Sequence, residues 1–383
     1  MSTIEQFHSK SNKYRVLLLA DINSSHIQKW ALSLAENGIE IGLFSFSKLK
    51  QDWIRGKENI HILFTPDEQD VPKILSKAIY PFLLPDLKRA IKEFKPDILH
   101  AHYASSYGLI GALAGFHPFI ISVWGSDVFN FPKISPMHKR LLKFNLRKAD
   151  KICSTSHIMK EETKKYTNKE ISVIPFGIDL NIYKPFHAHH VFNDDAIVIG
   201  TVKALEEKYG IAYLIDAFAL LRKRVKSYPL KLLIVGKGSL DIDLKRKVKD
   251  FGIESDVVFT GYIPPAEIPF YQNMLTIAVF PSIDKSESFG VSAVEAMACE
   301  KPVVVSNIGG LPEVVEAGVT GLIVPPANAE KLAETLEILV KDEQLRDKLG
   351  KLGRSRVAKL YNWENNLADM IRIYKALIAE KSK

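Results

Sequence analysis

The sequence predicts an α/β protein of two domains, each a parallel β-sheet covered by helices on both faces. Three observations lead there. The chain has 383 residues, 46% hydrophobic and 25% charged, which suits two globular domains that each bury a core. Short apolar runs of strand length alternate with helix-length stretches, the pattern of a sheet buried on both sides. The alternation comes in two series, separated by Ile174-Pro-Phe-Gly-Ile-Asp179, Tyr183-Lys-Pro and the His-rich residues 186–190.

In the first series, residues 14–20 form an apolar run between polar residues, a buried-strand signal, and 27–37 carry helical periodicity that stops at Gly38. Further strands are expected at 39–46, 97–102, 119–124 and 151–155, with helices at 87–94 and 106–114. The second series opens with a strand at 196–202 and continues with strands near 230–235, 257–260, 275–280 and 302–306. From Ala329 the chain reads as helical, passing through Tyr361-Asn-Trp363 to a last helix at 367–379. The domains are therefore expected at 1–184 and 185–363. Two sheets in tandem would set their strand C-termini at an interdomain cleft, the usual place for ligands in open α/β structures.

The net charge of +8 is uneven: residues 1–185 hold 26 Lys+Arg against 18 Asp+Glu, and the remainder holds 26 of each. The densest part, 133–151, has Lys133, Lys139, Arg140, Lys143, Arg147, Lys148 and Lys151 against the single acid Asp150. Interleaved leucines make it a candidate basic amphipathic helix, either packed with a solvated cationic face or resting on anionic lipid. No nucleic-acid motif accompanies it. Two distant cysteines, Cys153 and Cys299, and a polar N-terminus point to a reducing cytoplasmic setting without a disulfide. The weakly polar run 108–123 is broken by His117-Pro118 and is too short to span a bilayer as a helix.

The chemistry concentrates between residues 280 and 313. Phe280-Pro-Ser is followed by Glu287-Ser-Phe-Gly-Val-Ser-Ala-Val-Glu295 and by Gly309-Gly-Leu-Pro-Glu313. A strand ends at Phe280, a loop runs to Ser288, and a helix covers 291–298 with Gly290 at its entrance. A helix N-terminus offers unpaired N–H groups and the positive end of a dipole, and glycine there lets a phosphate approach. Glu287 lies ahead of that point, and Glu295 sits about two turns into the helix, roughly 12 Å further along at ~1.5 Å per residue.

This order of motifs resembles the retaining glycosyltransferases of the GT-B fold, family 4 (group 1). The resemblance extends through Glu-Ala-Met-Ala after Glu295, Pro302-Val-Val-Val and Gly321-Leu-Ile-Val-Pro. It implies two Rossmann-like domains, a nucleotide-diphosphate sugar as co-substrate linked to UDP or GDP, no metal or other cofactor, and transfer to a saccharide or lipid-linked acceptor with retention. Residue by residue, it implies that Glu287 meets donor-sugar hydroxyls and Glu295 the ribose diol, where ionised carboxylates accept hydrogen bonds. Ser288, Phe289, Gly290 and Val291 would offer backbone N–H groups. Lys203 stands where the family usually has an arginine for the donor phosphates, with Lys208 nearby; cations aimed at a leaving diphosphate lower the barrier directly. Lysine lacks the bidentate fork of a guanidinium.

Gly236-Lys-Gly238 follows a strand, so its glycines could bring N–H groups against the diphosphate, and Tyr262 is a candidate wall for the base. In the first domain the family often has a histidine near the donor sugar. His100 and His102 point to one side of their strand, and His102, nearer the loop, is favoured. Asp127 lies in a Gly-x-Asp-like segment, and Ser24 and Ser25 occupy the first strand–helix loop where many relatives carry glycines; these three are assigned to the acceptor or the cleft. Glu300 replaces a glycine common after the helix, at a local cost of up to ~1 kcal/mol. The last helix, 364–383, often packs back on the first domain in this family.

Two apparent metal groups are read otherwise. His187, His189 and His190 lie in the linker, and Asp241 and Asp243 sit where helix N-terminal acids are common. Rival functions are a sugar-nucleotide epimerase or hydrolase, a non-catalytic carbohydrate binder, and a nicotinamide oxidoreductase. The last lacks Gly-x-Gly-x-x-Gly in either half. The expected setting is cytoplasmic, peripheral on the inner face of the membrane, in polysaccharide or glycolipid synthesis.

Overall fold

The structure, a computed structural model, describes residues 14–66, 80, 82–188, 192–193 and 195–381. His189 and His190 lie outside the described residues. The chain divides into two compact units: the first comprises 1–154, 160–173 and 367–383, the second 155–159 and 174–366.

The first unit is built on a parallel sheet of strands β1 (Arg15–Leu19), β2 (Glu40–Phe44), β3 (Ile60–Phe64), β4 (Ile98–His102), β5 (Phe119–Val123), β6 (Lys151–Ser154) and β7 (Ile171–Val173). Their order is β3-β2-β1-β4-β5-β6-β7. The central strands β4 and β5 are buried at every position, because helices cover both faces. Neither β3 nor β7 was expected from the sequence. Both are edge strands: β3 alternates with a half-exposed pattern and β7 has only three residues, so neither carries a continuous apolar run.

The basic segment forms the helix Pro136–Lys148, started by Ser135, whose hydroxyl accepts the His138 N–H. Leu142, Asn145 and Leu146 face inward, while Lys139, Arg140, Lys143, Arg147 and Lys148 are exposed. Residues 367–381 of the helix Trp363–Lys381 group with this unit, where the Tyr374 side chain is fully buried.

The second unit carries β8 (Ile197–Val202), β9 (Leu230–Val235), β10 (Val257–Gly261), β11 (Ile277–Phe280), β12 (Val303–Ser306) and β13 (Leu322–Val324), ordered β10-β9-β8-β11-β12-β13 and all parallel. Residues 174–184 belong to this unit. Ile178 bridges to Asn362, the Asn366 amide donates to the Pro175 carbonyl, and a Cβ on Gly177 would stand 2.6 Å from the Trp363 Cα. Residues 155–159 join it through Glu313, whose carboxylate accepts the N–H groups of His157 and Ile158 at 2.9 and 3.1 Å.

Strand order reverses between β1 and β4 in the first unit and between β8 and β11 in the second. In doubly wound sheets the loops leaving such a pair diverge to opposite faces and open a crevice at the strand C-termini.

Candidate active site

In the second unit the crevice is bounded by the loops that leave β8 and β11. Lys203 is the first residue after β8, and Glu287 lies in the loop after β11. The Lys203 Nζ is 2.7 Å from the Glu287 Oε2. Glu287 is only 8% exposed, and the Ser282 hydroxyl approaches the same oxygen at 3.5 Å. Burial works to lower the Lys203 pKa, but the charge and hydrogen bond of Glu287, with Glu295 also nearby, raise it above the ordinary lysine value. The Lys203 ammonium lies 4.3 Å from the centre of the Tyr209 ring, and Lys208 Nζ lies 4.8 Å from that centre. The two cations therefore share one aromatic platform. The two loops are also tied directly: Ile283 donates its N–H to the Lys208 carbonyl, and a Cβ on Gly210 would stand 2.1 Å from the Pro281 oxygen.

Glu287 is held from the backbone by the glycine pair. Gly310 N–H donates to the Glu287 carbonyl at 2.7 Å. A Cβ on Gly309 would meet that carbonyl oxygen at 2.1 Å, and one on Gly310 would meet the Ser288 oxygen at 2.3 Å. Glycine is thus required there so that the chain can press against the loop carrying the acid. Gly290, at φ +92°, caps the helix Val291–Ala298, and a Cβ on it would strike Leu311 at 2.6 Å. Phe289 is buried edge-on between Phe176 and Tyr361, at 6.0 and 5.3 Å, so its side chain anchors the loop.

At the other end of the motif, Glu295 is half-buried and accepts a hydrogen bond from the Tyr183 hydroxyl. Burial first, then the Glu295 charge and that bond, push the Tyr183 pKa far up. Tyr183 is itself fixed: its carbonyl accepts from Arg354 at 3.1 Å, and its N–H donates to Asp179 at 2.8 Å.

The Gly236-Lys-Gly238 turn follows β9, as expected. Gly236 spends its N–H on the Gly261 carbonyl at 3.1 Å, so that group is not directed at a phosphate. Its glycine is required because a Cβ would stand 2.0 Å from the Lys203 oxygen, and one on Gly238 would stand 2.4 Å from the Leu205 oxygen. The turn packs against the backbone that presents Lys203. Tyr262 follows β10 and is 67% exposed. Asp241 and Asp243 occupy the first turn of the helix Asp241–Asp250, paired with Lys245 and Arg246. Among the described residues, no group of three His, Cys, Asp or Glu side chains could hold a metal ion.

In the first unit, β4 carries His100 and His102 with ring centres 4.1 Å apart, on one side of the strand as alternation requires. Their surroundings separate them. His100 is fully buried, with Nδ1 2.7 Å from the Tyr374 hydroxyl and Nε2 2.7 Å from the Ser122 hydroxyl. His102 is 4% exposed and packs against the Trp124 edge at 5.1 Å, and neither of its ring nitrogens has a hydrogen-bond partner. A buried polar group without a partner is costly, and a ligand hydroxyl would relieve it. Burial drives the His102 pKa down to about 3, so the imidazole is neutral at physiological pH.

Tyr103, the next residue, has φ +90°, a strained conformation for a side chain of that size. Its hydroxyl lies 2.7 Å from the Ser126 hydroxyl. Asp127 is buried and accepts backbone N–H groups from Ala104 and Gly125 at 2.8 Å and from Trp124 at 3.2 Å. Burial raises its pKa and those N–H groups oppose the rise. Its carboxylate thus folds the Trp124-Gly125 turn against the β4 loop. Ser24 is the N-cap residue of the helix Ser25–Glu36 and makes no side-chain cap; the adjacent His26 ring meets Trp124 at 5.9 Å. The first turn of the helix Ser25–Glu36 and the loop after β5 therefore meet at Trp124, beside His102.

Sequence reasoning did not single out Tyr183, Tyr209 or Tyr374. Only Tyr209 carried a local signal, as an aromatic between Lys208 and Gly210.

Residues 184–356 match the family model for glycosyl transferases group 1, and residues 15–156 match that for glycosyl transferase 4-like proteins. An uncharacterized glycosyltransferase of Methanocaldococcus jannaschii is 29% identical over 297 residues, covering 76% of this chain and 78% of that protein. The O-antigen chain mannosyltransferase C of Escherichia coli is 25% identical over 360 residues, covering 91% and 92%. Among solved structures, Anabaena HepE in complex with UDP and glucose superposes with a TM-score of 0.76 at 19% identity, covering 95% of this chain and all of that one. With two parallel doubly wound sheets and both family models matched in order along it, the chain belongs to the group 1, family 4-like glycosyltransferases of the GT-B fold.

Proposed function

We propose that this glycosyltransferase moves a sugar from a UDP- or GDP-linked donor to a hydroxyl acceptor with retention at the anomeric carbon. The observation that carries the reading is the buried Lys203–Glu287 pair at the switch point of the second sheet. One side chain suits the leaving diphosphate and the other the departing sugar, and they already touch.

In this reading the amides after Ser288 and the Lys203 ammonium bind the diphosphate, and Glu295, steadied by Tyr183, accepts from the ribose hydroxyls. As the bond from anomeric carbon to phosphate oxygen breaks, charge grows on that oxygen next to Lys203, which holds it better in the transition state than in the ground state. The acceptor oxygen bonds the same face of the sugar and its proton passes to the leaving phosphate. Glu287 orients the sugar hydroxyls and stabilises positive charge at the ring. His102, neutral and with open ring nitrogens, suits a hydroxyl of the same sugar.

The relation to an O-antigen mannosyltransferase supports a role in surface polysaccharide or glycolipid synthesis. The exposed cations of Pro136–Lys148 support a peripheral position on an anionic membrane face. Among the described residues, no helix is long and apolar enough to cross a membrane. A panel of nucleotide sugars, screened by thermal stabilisation and then by transfer with anomeric analysis of the product by NMR, tests the proposal. Stabilisation by one UDP- or GDP-sugar and an unchanged anomeric configuration are expected; an inverted product would remove the retention claim.

A further inference from the structure

The first unit contains a cavity of about 600 Å³, within the range of small-molecule sites, whose wall includes Asp127, its carboxylate already engaged by the N–H groups of Ala104, Trp124 and Gly125. Its wall is divided by chemistry. Tyr103, Ser105, Ser106, Ser126 and Asn130 bring hydroxyl and amide groups from the loops that follow β4 and β5. Leu109, Phe131, Ile134, Met137 and Leu141 form the other part, from the helix Tyr107–Ala114, the short turn at 131–134 and the start of the basic helix. Ile134 and Met137 are 61% and 71% exposed, so the apolar lining continues out onto the surface. Large apolar side chains left in water beside a cavity mark a place where something apolar lies.

Charge narrows the occupant. Lys133 adjoins Ile134 in the chain, Lys139 and Arg140 follow Met137, all three are exposed, and no acid occurs between residues 131 and 149. A purely apolar ligand would need no such flank, and a free sugar would have no use for Ile134 and Met137.

We propose that this cavity binds one amphiphilic acceptor molecule: a hydroxylated head among Tyr103, Ser105 and Ser126, a hydrocarbon chain over Ile134 and Met137, and an anionic linkage such as phosphate against Lys133 and Arg140. This rests on the transferase reading and names the acceptor class, a saccharide joined to a lipid through an acidic group. It differs from adhesion to a membrane surface, because a single dissolved amphiphile suffices.

The test is calorimetric titration of the whole protein with decyl phosphate, decyl maltoside and inorganic phosphate, the two amphiphiles kept below their micelle thresholds. Decyl phosphate is expected to bind more tightly than decyl maltoside, and inorganic phosphate not measurably at the same concentrations. The double substitution Ile134→Ser with Met137→Ser, at exposed positions, should weaken decyl phosphate by roughly tenfold or more through lost apolar burial, with UDP binding and the thermal midpoint unchanged. Lys133→Ser with Arg140→Ser should weaken decyl phosphate and leave decyl maltoside as it was. The inference is overturned if the serine pair at 134 and 137 leaves decyl phosphate binding intact. It is equally overturned if the protein binds vesicles of anionic lipid but no dissolved decyl phosphate. Failure of every UDP- and GDP-sugar to bind would instead strike the donor reading while the decyl phosphate result stood.

Discussion

Lys203 and Glu287 are brought to 2.7 Å by topology: they follow β8 and β11, adjacent strands whose connections leave in opposite directions. The pair is nearly dry, with side-chain exposures of 14% and 9%, so removing one partner strands a charge. Lys203→Met should therefore destabilise the ligand-free protein by about 3 kcal/mol, and adding Glu287→Gln should recover most of that loss. Chemical denaturation of the four proteins of this double-mutant cycle measures it.

The same pair fixes a pH dependence. The Lys203 pKa is raised above its ordinary value of 10.5, so its contribution is fully present below that value and is lost as pH rises through the higher folded value. Stability from this pair should be level through neutral pH and decline only in strongly alkaline solution, a decline absent from Lys203→Met. Thermal midpoints across an alkaline series provide the check.

Glu287→Ala should lower kcat by roughly a hundredfold or more if the carboxylate acts on the sugar in the transition state. UDP affinity should change far less, since Lys203, Glu295 and the amides after Ser288, proposed to hold the nucleotide, are left in place. Steady-state kinetics together with UDP titration separates the two effects.

Tyr183→Phe removes one hydrogen bond to Glu295, worth about 1 kcal/mol. The expected result is a rise of roughly fivefold in donor KM with kcat little altered. A fall in kcat with unchanged KM would argue that Tyr183 acts on the reacting centre instead.

His102 carries the opposite linkage from Lys203. Its folded pKa of about 3 lies below the ordinary 6.5, so the unfolded chain binds the proton and the folded chain does not. The stability it contributes is complete above pH 6.5 and falls away as pH drops toward 3, by up to about 1.4 kcal/mol per pH unit. His100, also lowered by burial and by its neighbour His102, adds to the same trend. Denaturation between pH 7 and 4 should show this slope, and His102→Gln should reduce it.

Much of the fold was legible because parallel strands covered on both faces need continuous apolar runs, as in β1, β5, β8 and β11. Strand β13 has three residues, and β3 and β7 are edge strands, which can alternate or shorten without cost to the core. The acid pair and Gly290 were legible because one strand, loop and helix carry them all. Glu300, at φ +58°, occupies the conformation for which glycine had been expected. Contacts made across the chain were not legible: His100 meets Tyr374, 274 residues away, and Tyr183 reaches Glu295 from another part of the unit. At Gly236 the sequence could not separate two needs, because a glycine required for close backbone packing looks the same as one required for a phosphate.

The most direct measurement is a crystal structure with a UDP- or GDP-sugar bound. The diphosphate oxygens are expected within hydrogen-bond reach of the Lys203 ammonium and of the amides that follow Ser288, with the ribose on Glu295 and the sugar beside Glu287. A nucleotide bound away from the ends of β8 and β11, or Glu287 swung out into solvent, would contradict that arrangement.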